Sequence, residues 1–176
     1  MSEENRQVLD VDVLFVGAGP SSLAGALHLK KLSVNEGLDI SIAIIEKARE
    51  IGAHSLSGAI IDPRSLNEII PNHLEKGVPF EAEVAEENMY YLSSKGKFRF
   101  PYLPKSMSHH GCYVVSLGQF TRWLGKICET DGIDIFCGFS GTELLYENDQ
   151  VIGVRTGDRG VDKNGNPKSN YDPGVD

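Results

Sequence analysis

The sequence predicts an α/β fold. Three observations carry that expectation: a strand–turn–helix–strand unit over residues 11–46, a return of strand and helix patterns after residue 111, and a proline-rich stretch of short alternating runs between them. The first strand is Val11-Asp12-Val13-Leu14-Phe15-Val16, and the turn is Gly17-Ala18-Gly19-Pro20-Ser21-Ser22. A helix runs through Leu23-Ala24-Gly25-Ala26-Leu27 to about Val34. The second strand is Ile40-Ser41-Ile42-Ala43-Ile44-Ile45, and Glu46 closes it.

Each part of this unit suits a dinucleotide such as FAD or NAD. Gly17 allows a tight turn, and Gly19 lets the backbone approach a pyrophosphate. Pro20, Ser21 and Ser22 open the helix, whose first N–H groups are free to meet an anion. Glu46 can accept hydrogen bonds from a ribose diol. The third glycine of the usual fingerprint is Ser22, a small residue that still allows close packing. The distance from Gly17 to Glu46 exceeds the usual separation of roughly 20 residues. A longer helix and the Asn35-Glu36-Gly37 turn absorb the excess, while Gly25 and Ala26 extend the small face toward the sheet. A bare glycine turn is a weak signal; the strand before it and the acid after the next strand supply the context it needs.

Further along, Gly52-Ala53-His54-Ser55-Leu56-Ser57-Gly58 reads as a loop. Asp62-Pro63 begins a short helix, with Asp as N-cap and Pro in its first position. Leu66, Ile69 and Ile70 give that helix its apolar face, and Pro71 stops it. Over residues 72–110 the pattern changes: Glu81–Leu92 and Lys95–Phe100 read as strands about a Ser94-Lys95-Gly96 turn, in a mostly antiparallel sheet. Cys112-Tyr113-Val114-Val115 then reads as a strand resuming the earlier rhythm. Ser116 and Gln119 form a capping box for a helix buried through Phe120, Leu124, Ile127 and Cys128. Gly132 suits the position just past that helix. Ile133–Cys137 is the next strand, and Glu143–Tyr146 with Val151–Arg155 forms a hairpin about Asn148-Asp149. Residues 157–176 are rich in Gly, Asn and Pro and show no apolar period. The resulting organisation is a nucleotide-binding domain over 8–71 and 111–176, the latter part truncated, around part of an antiparallel domain over 72–110.

Composition bounds the function. The chain of 176 residues has a net charge of −8, which argues against a nucleic-acid partner. Cys112, Cys128 and Cys137 form no CxxC and suit neither a zinc nor an iron–sulfur pattern; free thiols in a reducing compartment are the expectation. No run of about 18 apolar residues occurs. The N-terminus has no signal-peptide core, and its two acids argue against a transit peptide. His109-His110 has no acid at ligand spacing, so no metal site is expected, and no residue is assigned a catalytic role.

The segments Gly17-Ala18-Gly19-Pro20, Gly52–Ala59, Asp62-Pro63-Arg64, His110-Gly111-Cys112-Tyr113-Val114-Val115 and Gly157-Asp158-Arg159-Gly160-Val161 together resemble the electron-transfer-flavoprotein:ubiquinone oxidoreductase family. The resemblance runs from about residue 8 to the C-terminus. The His54 loop and the stretch from Gly157 to Pro167 are more specific than the glycine turn. The resemblance implies a Rossmann-like FAD-binding domain of the glutathione-reductase type with part of an inserted antiparallel substrate domain. It implies FAD as cofactor, with Gly17, Gly19, Pro20, Ser21, Ser22 and Glu46 at its pyrophosphate and ribose. Ser57 and Gly58 would pass near the flavin, or else form an ordinary turn, and Thr142 would lie near adenine. The family also carries a 4Fe-4S cluster, whose ligands are absent from this chain. A basic residue is common in the family where Ser116 stands here, which removes one polar contact to the cofactor.

The implied activity passes electrons from electron-transfer flavoprotein to ubiquinone in the respiratory chain. The implied location is a membrane surface, without a span: the cytoplasmic face of a bacterial inner membrane, or the mitochondrial inner membrane in a eukaryote. The run Phe98-Arg99-Phe100-Pro101-Tyr102-Leu103-Pro104-Lys105 has two readings. It is either a monotopic membrane contact, with aromatics beside basic side chains, or a proline-ended strand packed on its sheet. His54 is a structural hydrogen-bonding residue more often than a proton donor in such a loop. Two alternatives stand beside the main reading: a geranylgeranyl-reductase-like flavoprotein, and an inactive nucleotide-binding fragment, since the family's chains are several times longer.

Overall fold

The computed structural model describes residues 6–56, 58–163 and 166–176. It divides into two compact units: Met1–Ser55 with Thr121–Asp176, and Leu56–Phe120.

The first unit is built on a parallel sheet. Strand β1 is Val13–Val16, helix α1 is Pro20–Asn35 and strand β2 is Ile42–Glu46. Both strands start later than the apolar pattern suggests, because a side-chain clip replaces the ladder at their entry. The Asp12 carboxylate accepts hydrogen bonds from the Ser41 N–H and hydroxyl, both at 2.7 Å. The Asp12 N–H in turn donates to Ser41 Oγ at 2.8 Å. Next along the chain comes β3 (Ala59–Ile61), then α2 (Pro63–Ile69), β4 (Phe80–Glu83), β5 (Tyr90–Ser93), β6 (Gly96–Arg99) and β7 (Tyr113–Val115). Helix α3 (Leu117–Thr130) and strand β8 (Asp134–Cys137) return to the first unit, and β8 joins the parallel sheet in the order β1-β2-β8.

Strand β2 is therefore central, and Ile42, Ala43, Ile44 and Ile45 are all buried. Its near-continuous apolar run is what a parallel strand covered on both faces requires. On the α1 side, Leu23, Ala26 and Leu27 are buried, and Gly25 gives the close approach: a Cβ there would lie 3.3 Å from the Phe15 ring. The Cys128 thiol donates to the Leu23 carbonyl at 3.5 Å. Burial pushes that thiol up to about 12, so it is an inert core group. The expected α3 stripe of Phe120, Leu124, Ile127 and Cys128 is buried, and Gly132 takes its positive φ of 77° just past the helix.

Strands β9 (Gly141–Glu147) and β10 (Gln150–Thr156) form the expected antiparallel hairpin. Asn148 and Asp149 both have positive φ, 47° and 64°, as a tight hairpin turn requires. The last stretch holds more order than its composition suggests. Strand β11 (Arg159–Val161) pairs with β12 (Pro167–Asp172), and Val175 bridges Gln7 in parallel. Charges fasten this segment: Arg155 grips the Asp176 carboxylate with two hydrogen bonds, at 2.9 and 2.8 Å. Arg6 reaches Asp158 at 3.0 Å and Asp176 at 3.1 Å.

The second unit corrects one expectation. Tyr113–Val115 does not resume the parallel rhythm: β7 lies between β3 and β4 and is antiparallel to both. A three-residue apolar strand fits either kind of sheet, and its partners decide. The stretch 81–92 is likewise two strands of different sheets, since β4 pairs with β7 whereas β5 pairs with β6. The short helix α2 starts as its sequence dictates, with the Asp62 carboxylate accepting from the Arg64 N–H at 3.0 Å. His109 has an acid partner that no local spacing reveals. Glu87, distant in sequence, accepts from the His109 N–H and lies 2.6 Å from its Nδ1. Both contacts hold the Glu87 carboxyl below the usual range.

Candidate nucleotide site

The C-terminal ends of β1, β2 and β8 converge with the glycine turn. Gly17 has φ of 98°, a conformation open to glycine at little cost, and its N–H donates to the Ile45 carbonyl at 2.7 Å. Gly19 is the N-cap of α1 with extended backbone, and no side chain caps the helix. Pro20 takes the first helical position and has no N–H to offer. The amides of Ser21 and Ser22 belong to the first turn, where no intrahelical carbonyl can serve them. No acidic side chain stands in that turn to compete for them. A Cβ built on Gly17 or Gly19 would meet nothing within 4 Å, so the space outside the turn is open to a ligand.

Glu46 links the turn to the second strand. One carboxylate oxygen accepts from the Ala18 N–H at 2.9 Å, the other from the Ala48 N–H at 2.7 Å. Each oxygen keeps a lone pair for a further donor, such as a ribose hydroxyl. The loop after β8 is pinned to the same strand end: Gly138 N–H donates to the Ala48 carbonyl at 2.8 Å, and Phe139 N–H to the Glu46 carbonyl at 2.9 Å. Together these segments enclose a cavity of about 180 Å³ lined by Val16, Gly17, Ile45, Glu46, Lys47, Phe139, Ser140 and Gly141. Gly141 fits because a Cβ there would stand 3.1 Å from Val154 and 3.3 Å from Val16. A site at the carboxyl ends of parallel strands is where this class of sheet binds ligands.

The structure thus brings Gly17, Gly19, Pro20, Ser21, Ser22 and Glu46 together at one strand edge. Thr142 lies just outside the cavity, in β9, and its hydroxyl donates to the Arg155 carbonyl at 3.0 Å. Ser57 lies outside the described residues. Gly58 belongs to the second unit and has φ of 82°. His54 is exposed. Lys47, Phe139, Ser140 and Gly141 were not singled out by the sequence, although the last three follow directly on a parallel strand.

No family model matches the chain. Several curated proteins do. A protein of Acinetobacter baylyi named a probable electron transfer flavoprotein-ubiquinone oxidoreductase is 42% identical, covering 97% of this chain and 31% of that protein. The mitochondrial electron transfer flavoprotein-ubiquinone oxidoreductase of Dictyostelium discoideum is also 42% identical, over 94% of this chain and 27% of its own length. That of Mus musculus is 40% identical over 95% and 27%. Over nearly all its length, this chain is homologous to the electron transfer flavoprotein-ubiquinone oxidoreductases. It spans between a quarter and a third of the length of those relatives.

Solved structures agree on the fold. A geranylgeranyl bacteriochlorophyll reductase-like protein of Thermoplasma acidophilum superposes with a TM-score of 0.57 at 21% identity, covering 84% of this chain and 34% of that one. The flavin-dependent monooxygenase PieE, solved with FAD and substrate, gives 0.59 at 17% identity, covering 85% and 27%. The architecture is the Rossmann-like α/β kind that these structures share.

Proposed function

We propose that this chain is the FAD-binding portion of an enzyme that passes electrons from electron-transfer flavoprotein to ubiquinone. The observation that carries the proposal is the 42% identity to proteins of that name over nearly the whole chain, joined to an open glycine turn facing the Glu46 carboxylate. The groups present fit the cofactor. The first-turn amides of Ser21 and Ser22, with the bare backbone at Gly17 and Gly19, suit a pyrophosphate. Glu46 suits the adenosine ribose, and its charge disfavours a 2′-phosphate. When bound, FAD supplies the redox chemistry through its own ring system, and the chain's part is to hold and orient it. The site assignments for Ser57, Gly58 and Thr142 rest on the family resemblance alone. So do the 4Fe-4S cluster and the placing of 72–110 in a quinone-side domain.

Association with one face of a membrane belongs to the same proposal. No helix among the described residues is long and apolar enough to cross a bilayer. The β5–β6 hairpin instead exposes Tyr91, Leu92 and Phe98, with Tyr102 exposed just beyond it. Lys97 lies over the Tyr90 ring at 5.2 Å. Aromatic and aliphatic side chains beside lysines suit the interface of an anionic bilayer. In a bacterium that surface would be the cytoplasmic face of the inner membrane, and in a eukaryote the mitochondrial inner membrane. The isoprenoid-reductase alternative retains only a likeness of fold.

The test is to purify the chain, titrate it with FAD and measure flavin fluorescence and absorbance. Saturable binding that NADP does not displace is expected. No FAD binding by the purified chain, or displacement by micromolar NADP, would contradict the assignment.

A further inference from the structure

We propose that Arg159 is a positioning residue for nucleotide binding, acting through Phe139. This rests on the reading of the cavity at Glu46 as the adenosine end of the cofactor site. Phe139 lines that cavity, and with Ile45 it also lines a larger one of about 460 Å³ beneath the parallel sheet. Phe139 therefore borders both the nucleotide cavity and a mainly apolar cleft. A ring that borders a cleft has fewer neighbours to fix its position than one packed on every side. Phe136 meets it edge-on at 6.3 Å between centroids, which restrains it from one side.

Arg159 supplies the missing restraint. Its guanidinium carbon lies 4.2 Å from the centre of the Phe139 ring. The planar cation stacks on the ring's negative face, a contact a lysine ammonium makes with less area. The guanidinium is itself tethered by an ion pair with Asp172, its register partner across the β11–β12 ladder. Its Nε is buried with no hydrogen-bond partner among the described residues, an arrangement that the ring contact and the ion pair must offset. Gly157 and Ser140 close the same corner: the Gly157 N–H donates to the Ser140 carbonyl at 2.9 Å. A segment whose composition suggests only a loop thus reaches back to hold one wall of the nucleotide site.

The experiment compares ADP and inorganic pyrophosphate binding by calorimetry in the wild-type chain, Arg159→Ala, Arg159→Lys and Asp172→Asn, with thermal midpoints recorded without ligand. Arg159→Ala is expected to weaken ADP by about three- to tenfold, with the worth of one cation–π contact as the upper limit. Pyrophosphate, which does not reach the Phe139 wall, should be held as before. Arg159→Lys should recover part of the loss, and Asp172→Asn should show a smaller one. ADP affinity within about twofold of wild type in Arg159→Ala would overturn the proposal. So would an equal loss of ADP and pyrophosphate, which would mark a general structural defect. A wild-type chain that takes pyrophosphate but not ADP would remove the adenosine reading of the cavity, and this proposal with it.

Discussion

The β1–α1–β2 unit and the β5–β6 hairpin are both made of short strands, and they are stabilised in opposite ways. In β2, four successive residues are buried, and Ile44 at the centre is fully inaccessible. In the hairpin, every residue of both strands is exposed, and among the described residues the strands pair only with each other. Two-stranded hairpins are marginal in water unless something packs on them. The difference teaches where each region's energy comes from. The first region draws on burial within its own unit and leaves its polar groups free for a ligand. The second leaves its apolar side chains exposed.

The largest test of that contrast is a paired truncation. Ile44→Ala removes a fully buried side chain flanked by Phe15 and Ile135 in the sheet register. It should destabilise the chain by about 2–5 kcal/mol in urea unfolding. Phe98→Ala, 60% exposed, should change stability by less than about 0.5 kcal/mol. Equal losses would mean that the hairpin is packed in solution and that the contrast is wrong.

Next in size is the separation of ligand binding from folding at the glycine turn. Gly19 has ordinary extended backbone and open space at its Cβ position. Valine there is a poorer N-cap, and the thermal midpoint should fall by no more than about 4 °C. FAD affinity should drop at least about tenfold, because a branched side chain fills the space the pyrophosphate needs. Unchanged flavin binding in Gly19→Val would place the nucleotide elsewhere.

What the sequence made legible follows the same divide between local and distant contacts. Val13–Glu46 could be read because its signals are local: a period of two, a glycine turn, a helix and an acid at fixed offsets. Gly17, Gly19 and Glu46 were visible for that reason. Phe139, Ser140 and Gly141 were not, because only the pairing of β8 with β2 brings them to Glu46. The usable signal was their place directly after a parallel strand, one step short of the Thr142 the sequence pointed to. Tyr113–Val115 was misplaced because three apolar residues carry no mark of parallel or antiparallel pairing. The order at 157–163 and 166–176 comes from Arg6, Arg155 and the ladder to Asp172, none of which leaves a periodic trace.

A smaller effect is expected at the hairpin. Replacing Leu92 and Phe98 together by Asp puts two charges among its exposed apolar side chains. Cosedimentation of the chain with vesicles of mixed neutral and anionic phospholipid should fall several-fold, with FAD binding and the thermal midpoint unchanged. Vesicle binding that is equal in the double variant, or absent in the wild type, would remove the hairpin from the membrane proposal.

The smallest effect concerns acid stability, and it too separates the two regions. Asp158 accepts from the Gly174 N–H at 3.0 Å, from the Tyr171 hydroxyl at 3.0 Å and from Arg6. These hydrogen bonds and the nearby cation hold its carboxyl below the usual aspartate value of 3.8. Asp176, gripped by Arg155 and Arg6, is lowered in the same direction. A depressed folded-state value means that the unfolded chain takes up the proton first. The stabilisation is therefore present above about pH 4 and is lost as the pH falls below that toward the folded-state value. Partial exposure of these side chains, 27% for Asp158 and 15% for Asp176, screens the interaction and keeps it small. Asp158→Asn should lower the thermal midpoint at pH 7 by less than about 4 °C and flatten its decline between roughly pH 4 and pH 2. The hairpin holds no such carboxylate in its strands, so substitutions at Tyr91 or Phe98 should leave that acid decline as it is in the wild type. A steeper decline in Asp158→Asn would show that the contacts of Asp158 oppose folding, and that the C-terminal segment is held by its other ion pairs and its backbone pairing.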